Sequence, residues 1–548
     1  MRVPNFLGQR VQLVMATAFS LLLFTQCADS LDVTNENDPP IEVLQSEEGL
    51  RRLALGVWAF DNGQVIGDYN WIAQTLHSVM GDELVVPWGN FTWRWANQPT
   101  SITYNDGMTT WTPPQGADQG TQLESFNDRV QEDNNAYAFE WRAMYRANNT
   151  SNLILENVAS VEFNSQGDLK RPSYEAWAHF WKGWAYSRLG SIYSSGLIIN
   201  EAGVTNGDYV SNDELIAEAG REFDLAEAAL TTLQANGEGE NVWAAFVTAV
   251  IPDYMQVQNG SPTIADMIAT LNTMRARNIL VNRRAFDIGT GSMQEISDAE
   301  YQQVLDLTAD GLGASSNWIQ FRSNSSNGVF FQTIWPPYRV LIGWNFVSER
   351  LVQDFPDGDL RRERNVLERA SAAVNTRGRG IQYGTRYDFN SIENGGDYAS
   401  TEDGLATMPM AGSYAENALM RAEALIRTGS VDEGLALVDE VRTAQNSGLD
   451  ATSGTGLDSD AAYEVLQAER RIGLIFQGLQ FYDARRWGRT VPVSLGGGRE
   501  NSVILDEGGD VFDDATINYN YLDYFGVPDD ELDFNETDRA SVASVSPS

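Results

Sequence analysis

Trp88-Gly-Asn-Phe91-Thr-Trp93-Arg94-Trp95 places three tryptophans within eight residues. Read as an extended strand, the segment puts Phe91, Trp93 and Trp95 on one face and Arg94 on the other. Tyr104 and Trp111 follow, and Trp335, Tyr338 and Trp344 gather in a second aromatic stretch. Aromatic rings stack on the apolar C–H faces of sugars, while Asn, Arg and Asp hydrogen-bond hydroxyls, so exposed rings of this kind suit a glycan. The alternative is that the alternating aromatics form a half-buried strand packed on the rest of the fold.

Catalysis finds little support. No HExxH, GxSxG or Walker-type motif occurs. The two histidines, His77 and His179, fall on helical patterns where a packed or surface role is the ordinary one. Asp82-Glu83 is one of many close acid pairs expected by accident among 76 Asp and Glu, so it does not argue for a glycosidase dyad. Asp354, Asp357 and Asp359, or Asp529, Asp530 and Glu531, could hold a structural Ca²⁺, but they lack the EF-hand spacing and glycine; a solvated acidic face is the commoner reading. No other cofactor is expected.

The charge balance is lopsided: 37 Lys and Arg against 76 Asp and Glu give a net charge of −39 over 548 residues. Such a field excludes nucleic acid as a partner. Lys170 and Lys182 are the only lysines, and all other cationic side chains are arginines. Cys27 is the single cysteine, which rules out an internal disulfide and a thiolate metal site. It follows a positive n-region (Arg2, Arg10) and an apolar run, Leu13 to Phe24, too short to span a bilayer. Residues 1–26 therefore read as a lipoprotein signal peptide, with Cys27 as the lipidation site and membrane lipid as a partner. The polar segment to residue 41, interrupted by Pro39-Pro40, reads as a tether.

The elements that must position the aromatic loops are helical. Leu50, Leu53, Ala54, Val57 and Phe60 give the first apolar face, and helices are expected near 134–158, after Pro172-Ser173, from Ser211 and over 264–280. Ser211…Glu214 and Ser430…Glu433 have the spacing of capping boxes. Helix 413–427, stopped by Gly429, and the helix after it form an antiparallel pair over 413–444 that resembles one tetratricopeptide repeat. A last long helix is expected over 460–478, within a signature region reaching 488. Long stretches at 82–130, 284–345, 355–410 and 490–548 read as irregular and Gly-, Asn- and aromatic-rich. The expected class is mostly α, a helical scaffold with a loop-rich ligand-binding region and minor β, divided as 42–280 and 281–548.

Several motifs resemble the SusD/RagB family of outer-membrane nutrient-binding lipoproteins. Cys27-Ala-Asp-Ser-Leu31-Asp-Val-Thr-Asn35-Glu36-Asn37 is similar to the start of its mature chains, with Glu36 where the family usually has Pro. Trp141-Arg-Ala-Met-Tyr145-Arg-Ala-Asn148 resembles one of the family's helix motifs, and Tyr414-Ala-Glu416…Leu-Met420-Arg-Ala-Glu423-Ala resembles another. Glu469-Arg-Arg471…Phe476-Gln-Gly478…Asp483-Ala-Arg485-Arg486-Trp487-Gly488 resembles the family's ERR…DLRRWG signature, with Ala484 for the usual Leu. Val527-Pro528-Asp-Asp-Glu531 with Asn535 resembles its ending. The resemblance implies a SusD-like fold with about four TPR-like helix pairs, facing outward on the outer membrane. It implies capture of oligosaccharide without catalysis and delivery, as a lid, to a SusC-like TonB-dependent transporter; peptide capture or a TPR-type protein-binding adaptor are the alternatives. It places ligand contacts in the loops holding Trp88, Trp93, Arg94, Trp95, Asn97, Trp335 and Tyr338. The motifs near Arg485 and Trp487 it assigns to structure.

Overall fold

A computed structural model describes residues 41–60, 64–65, 68–88, 92–113, 118–252, 255–257, 260–283, 286–287, 292–322, 345–375, 383–400 and 405–535. The expected signal peptide, Cys27 and the tether as far as residue 40 lie outside these residues. The principal helices are α1 (Glu47–Leu55), α2 (Gln74–Met80), α3 (Ala136–Val158), α4 (Gly167–Ile192), α5 (Asn212–Gln234) and α6 (Gly239–Val250). They continue with α7 (Ile264–Val281), α8 (Asp298–Ala309), α9 (Tyr414–Arg427), α10 (Val431–Ala444), α11 (Ser459–Gly473) and α12 (Gln480–Arg486). The protein is mostly helical with minor β, as its periodicity implies, and among the described residues no helix is long and apolar enough to cross a membrane.

Local chemistry explains where most helices begin. The Ser211–Glu214 capping box forms at the start of α5, and two that the sequence reading passed over, Thr263–Asp266 and Ser297–Glu300, start α7 and α8. The expected box at Ser430 does not form. Gly429 takes a φ of +98°, and the Ser430 amide donates back to Leu425 O at 2.8 Å to close α9. That closure leaves Ser430 at ψ 59°, where its hydroxyl caps nothing. Helix α4 starts at Gly167, before the expected Pro172, and carries that proline in its second turn.

Helix α4 is the axis of the scaffold, packed on α3 and α5. Trp177, Trp181 and Trp184 are buried along it and meet edge-to-face, at 5.4 and 5.8 Å between centroids. Two of their indoles also reach distant backbone: Trp177 Nε1 donates to Ala54 O at 3.0 Å and Trp184 Nε1 to Met410 O at 2.8 Å. Helices α7, α8, α9 and α10 continue the packing into the C-terminal half. One continuous apolar core contains side chains from Leu50 to Val527.

The stretches expected to be irregular, and the residues just after one of them, contain strands: β1 (Leu84–Val85), β2 (Ser101–Tyr104), β3 (Thr109–Trp111), β4 (Phe346–Val347), β5 (Val366–Ala373), β6 (Thr385–Phe389), β7 (Arg499–Leu505) and β8 (Val511–Asn518). They form two four-stranded antiparallel sheets, ordered β5-β6-β4-β1 and β7-β8-β2-β3. The expected helix 460–478 is also divided. After Gly473 the chain turns through Phe476 at φ +59° and Gly478 at φ +70°, then resumes as α12. Tertiary contacts override helix continuity here: Phe476 packs on Phe389 at 4.8 Å, and a Cβ at position 478 would lie 2.2 Å from Gln74 Oε1.

The signature residues tie these parts together. Arg485, 1% exposed, donates to Ser191 O (2.9 Å) near the end of α4, to Val281 O (2.6 Å) at the end of α7 and to Asp523 O (2.7 Å). Helix C-termini carry unsatisfied carbonyls and partial negative charge, which a guanidinium fork satisfies together. Arg470 pairs with Asp483 (2.9 Å), Arg486 with Glu423 (2.5 Å), and Glu469 receives both Arg361 (2.6 Å) and Arg442 (2.8 Å). Arg485→Ala leaves buried carbonyls without donors and is expected to cost about 3–5 kcal/mol. Chemical denaturation measures it, and a loss below about 1 kcal/mol is the result that contradicts this role.

Candidate functional site

Antiparallel pairing of β1 with β4 sets Val85 opposite Phe346 and Leu84 opposite Val347. The chain therefore leaves β1 toward Trp88 at the same sheet end where it enters β4 from Asn345. Two segments more than 250 residues apart in sequence become neighbours there. The Trp88 and Phe346 rings meet edge-to-face with centroids 5.4 Å apart. Arg369, from β5, lies over Phe346 at 4.5 Å and donates to Asp388, from β6, at 3.0 Å.

This cluster is half open. Trp88 is half-buried, Phe346 is buried beneath it, and the Arg369 and Asp388 side chains retain 27% and 19% of their exposure. An aromatic platform beside a guanidinium and a carboxylate can take a sugar ring and bind its hydroxyls. Phe346, Arg369 and Asp388 were not singled out by the sequence reading. Their approach to Trp88 is a consequence of strand register and carries no local sequence signal.

The remaining expected contacts divide sharply. Residues Trp93–Ala96 form a helical turn, not an extended strand. On a helix, side chains three or four apart share a face, so Trp93, Ala96 and Asn97 turn inward while Arg94 and Trp95 stay half-buried outside. Trp93 is 0% exposed and donates Nε1 to Ile72 O at 3.2 Å. Asn97 is 1% exposed and donates to the Tyr383 hydroxyl at 3.3 Å. In this conformation Trp93 and Asn97 belong to the core and are closed to a ligand, a correction to the strand reading. Arg94 lies over the Trp95 ring at 5.4 Å, and Trp95 tilts against Phe126 at 6.4 Å. Trp335, Tyr338, Trp344 and Phe91 lie outside the described residues.

The titratable groups raised by the sequence take structural positions. His77 Nε2 lies 2.9 Å from Glu140 Oε2 and 3.0 Å from Arg188 Nη2, sealed between α2, α3 and α4. Burial, opposed by Glu140, holds the His77 pKa below its usual value, and Glu140 is lowered to about 2 against its own desolvation by Arg188 and His77. His179 pairs with Glu222 at 2.5 Å. Asp82 accepts a bidentate pair from Arg350 at 2.7 and 2.9 Å. The Ca²⁺ candidates are spoken for or dispersed. Asp354 is held by Arg471 (2.5 Å) and Arg499 (2.7 Å), Asp359 by Arg361 (2.8 Å), and Glu531 accepts from Trp141 Nε1 (3.3 Å). Among the described residues no three His, Cys, Asp or Glu side chains gather to hold a metal.

A cleft of about 440 Å³ opens between α1, the start of α4 and α6, lined in part by Arg51, Lys170, Tyr174 and Phe246. Its charges are already neutralised in pairs, Lys170 with Glu47 and Arg51 with Glu48 at 2.8 Å, which leaves it fewer polar groups for a ligand.

Residues 353–542 match the SusD family model. No curated protein matches the chain. Solved structures resemble it in fold along nearly its whole length. A SusD-like protein from Bacteroides fragilis NCTC 9343 has a TM-score of 0.54 at 15% identity, covering 90% of this chain and 96% of that one. Surface glycan-binding protein A from Bacteroides uniformis has a TM-score of 0.52 at 15% identity, covering 89% and 98%. A SusD-like carbohydrate-binding protein from Bacteroides vulgatus ATCC 8482 has a TM-score of 0.51 at 14% identity, covering 91% and 98%.

Glu83 supplies a test of the interior beside this site. It is fully buried, and burial pushes its pKa up to about 7 despite the amide of Phe476, which donates to Oε1 at 3.0 Å. A carboxyl whose folded pKa is raised binds a proton that the unfolded chain releases above about 4.5. Stability therefore falls as pH rises from about 4.5 to about 7 and levels off beyond, by on the order of 3 kcal/mol. Glu83→Gln keeps the acceptor and is expected to flatten that decline. Urea midpoints between pH 5 and 8 that fall equally in both proteins contradict the assignment.

Proposed function

From the match of residues 353–542 to the SusD family model, we propose that the chain is a member of that family, a cell-surface lipoprotein that captures an oligosaccharide without transforming it. The observation that carries this reading is the half-open cluster of Trp88, Phe346, Arg369 and Asp388 at the end of the β5-β6-β4-β1 sheet. Two structures of like fold, the surface glycan-binding protein A and the carbohydrate-binding protein, are proteins named for binding glycans. Arg94, Trp95, Trp335 and Tyr338 remain proposed ligand contacts, the first two half-buried and the last two outside the described residues. The closed surroundings of His77 and Glu83, and the engagement of Asp82 by Arg350, support binding over hydrolysis.

Lipid on Cys27 anchors the folded part to the outer membrane, facing outward, and the 28–41 segment acts as the tether. From there the protein delivers its ligand to a SusC-like TonB-dependent transporter, over which it closes as a lid. Peptide capture is the competing outcome for the ligand, and a protein-only TPR adaptor the competing outcome for the partner.

Three measurements test this. Calorimetry against a panel of oligosaccharides should find a binder, and Trp88→Ala should weaken it roughly tenfold, the value of about 1.4 kcal/mol of lost ring contact. Trp93→Ala should instead reduce stability by about 3–5 kcal/mol. A peptide bound with no sugar bound at all would overturn the substrate class. Cys27→Ser should appear as soluble, folded, ligand-competent protein when expressed without a transporter; retention in the membrane fraction would remove the anchor assignment.

A further inference from the structure

Where α2 ends against α12 and the β7–β8 hairpin, a cavity of about 30 Å³ is enclosed in part by Arg471, Arg489, Arg499, Thr490, Tyr519 and Tyr521. That is room for one species about the size of a water molecule and too little for a sugar, phosphate or carboxylate ligand. Its charge is unbalanced. Arg471 and Arg499 share a single carboxylate, Asp354, at 2.5 and 2.7 Å. Arg489, in the same wall, has no carboxylate and no side-chain hydrogen bond among the described residues; its guanidinium lies over the Trp487 ring at 5.1 Å. Thr490 is 3% exposed, and its buried hydroxyl likewise has no partner.

The nearby acids do not compensate. Asp82, which also lines the cavity, is taken up by Arg350 at 2.7 Å and by the Ser348 hydroxyl at 2.8 Å. Asp483 is shared by Arg470 (2.9 Å) and Arg486 (2.7 Å). Glu83, near Arg471, is the carboxyl whose pKa is pushed up to about 7. Of the three arginines in the wall, Arg471 and Arg499 share Asp354, and the other carboxylate there, Asp82, is engaged by Arg350 from outside the lining. Burial and the neighbouring Arg471 depress the Arg489 pKa to about 10, partly opposed by Asp354 and Asp483, so the group still carries its proton near neutrality. A half-buried guanidinium with no ion pair of its own and an unused hydroxyl donor, lining a space for one small particle, have a common chemical complement.

We propose that this cavity is a binding site for a single monatomic anion of the halide class, held between Arg489 and the Thr490 hydroxyl and completing the charge balance of the arginine cluster. The anion has a structural role: it neutralises the guanidinium groups that fix the end of α2 to the signature segment. It is independent of the glycan reading, since none of these residues lines the Trp88 surface.

The test uses the full chain in detergent, at equal sodium concentration, with chloride replaced stepwise by gluconate, which is too large for the cavity. Holding sodium constant removes general screening of the net charge of −39 from the comparison. The expected result is a saturable rise in Tm with chloride, of roughly 1–2 °C, reproduced by bromide. Arg489→Gln should abolish the difference between the anions, and Thr490→Val should raise the half-saturating chloride concentration several-fold. Crystals soaked in bromide should show an anomalous peak within contact distance of Arg489. Where Arg489→Gln fails to fold, Thr490→Val and the bromide soak decide. Equal Tm values in chloride and gluconate, or a site holding water only after the soak, overturn the proposal.

Discussion

The unsatisfied carbonyls at the ends of two long helices are the constraint around which the rest of the chain is arranged. Helices α4 and α7 finish in the interior, where water cannot reach their last C=O groups, and Arg485 supplies the donors from a distant part of the sequence. Its ring neighbours, Tyr482 at 5.2 Å and Tyr524 at 4.4 Å, cover the guanidinium faces that make no hydrogen bonds. A lysine could not do the same, because one ammonium on a flexible stem cannot hold three carbonyls from different elements in fixed directions. The near-absence of lysine from this chain is thus more than a compositional habit. Wherever an interior cation is paired bidentately, as at Arg350–Asp82, Arg277–Glu416 and Arg486–Glu423, the fork geometry of arginine is in use.

The same anchoring gives the candidate ligand surface its shape. Arg471 donates to Gly81 O at 2.7 Å, fixing the chain just before β1, while Arg350 and Asp82 bind the start of β1 to the element after β4. With both strands held, the register that sets Val85 against Phe346 follows, and Trp88 is delivered to Arg369 and Asp388. A few strand residues thus convert a helical scaffold into a platform at one sheet end. Surface loops are the natural place for such specificity, since the scaffold beneath them is indifferent to what they bind.

Charge is distributed by depth. The surface acids responsible for the net charge of −39 surround an interior in which arginine and carboxylate are mostly matched. Buried pairs of this kind contribute little net stability, because desolvation offsets attraction, but removal of one partner is costly. Their effect is to specify which segments meet.

How much of this was legible beforehand depends on range. Helix positions, the caps at Ser211 and the stop at Gly429 were read from patterns spanning a few residues, because amphipathic periodicity and capping are local interactions. The signature around Glu469 to Gly488, which lies within the residues that match the SusD family model, was likewise carried by the order of residue types. The sheets escaped, since their strands are short and pair with partners such as Asn518 with Ser101. So did the interruption at Phe476 and Gly478, where contacts with Phe389 and Gln74 outweigh helix propensity. Among the aromatic residues the sequence grouped Trp88 with Trp93 and could not tell their burial apart. One is half-buried beside an arginine and the other sealed in the core, a difference decided by whether four residues coil into a helical turn. Residue types and local spacing determined the helices and the signature motif; burial, strand register and long-range pairing, as between Arg471 and Gly81, 390 residues apart, exist only once the chain has closed on itself.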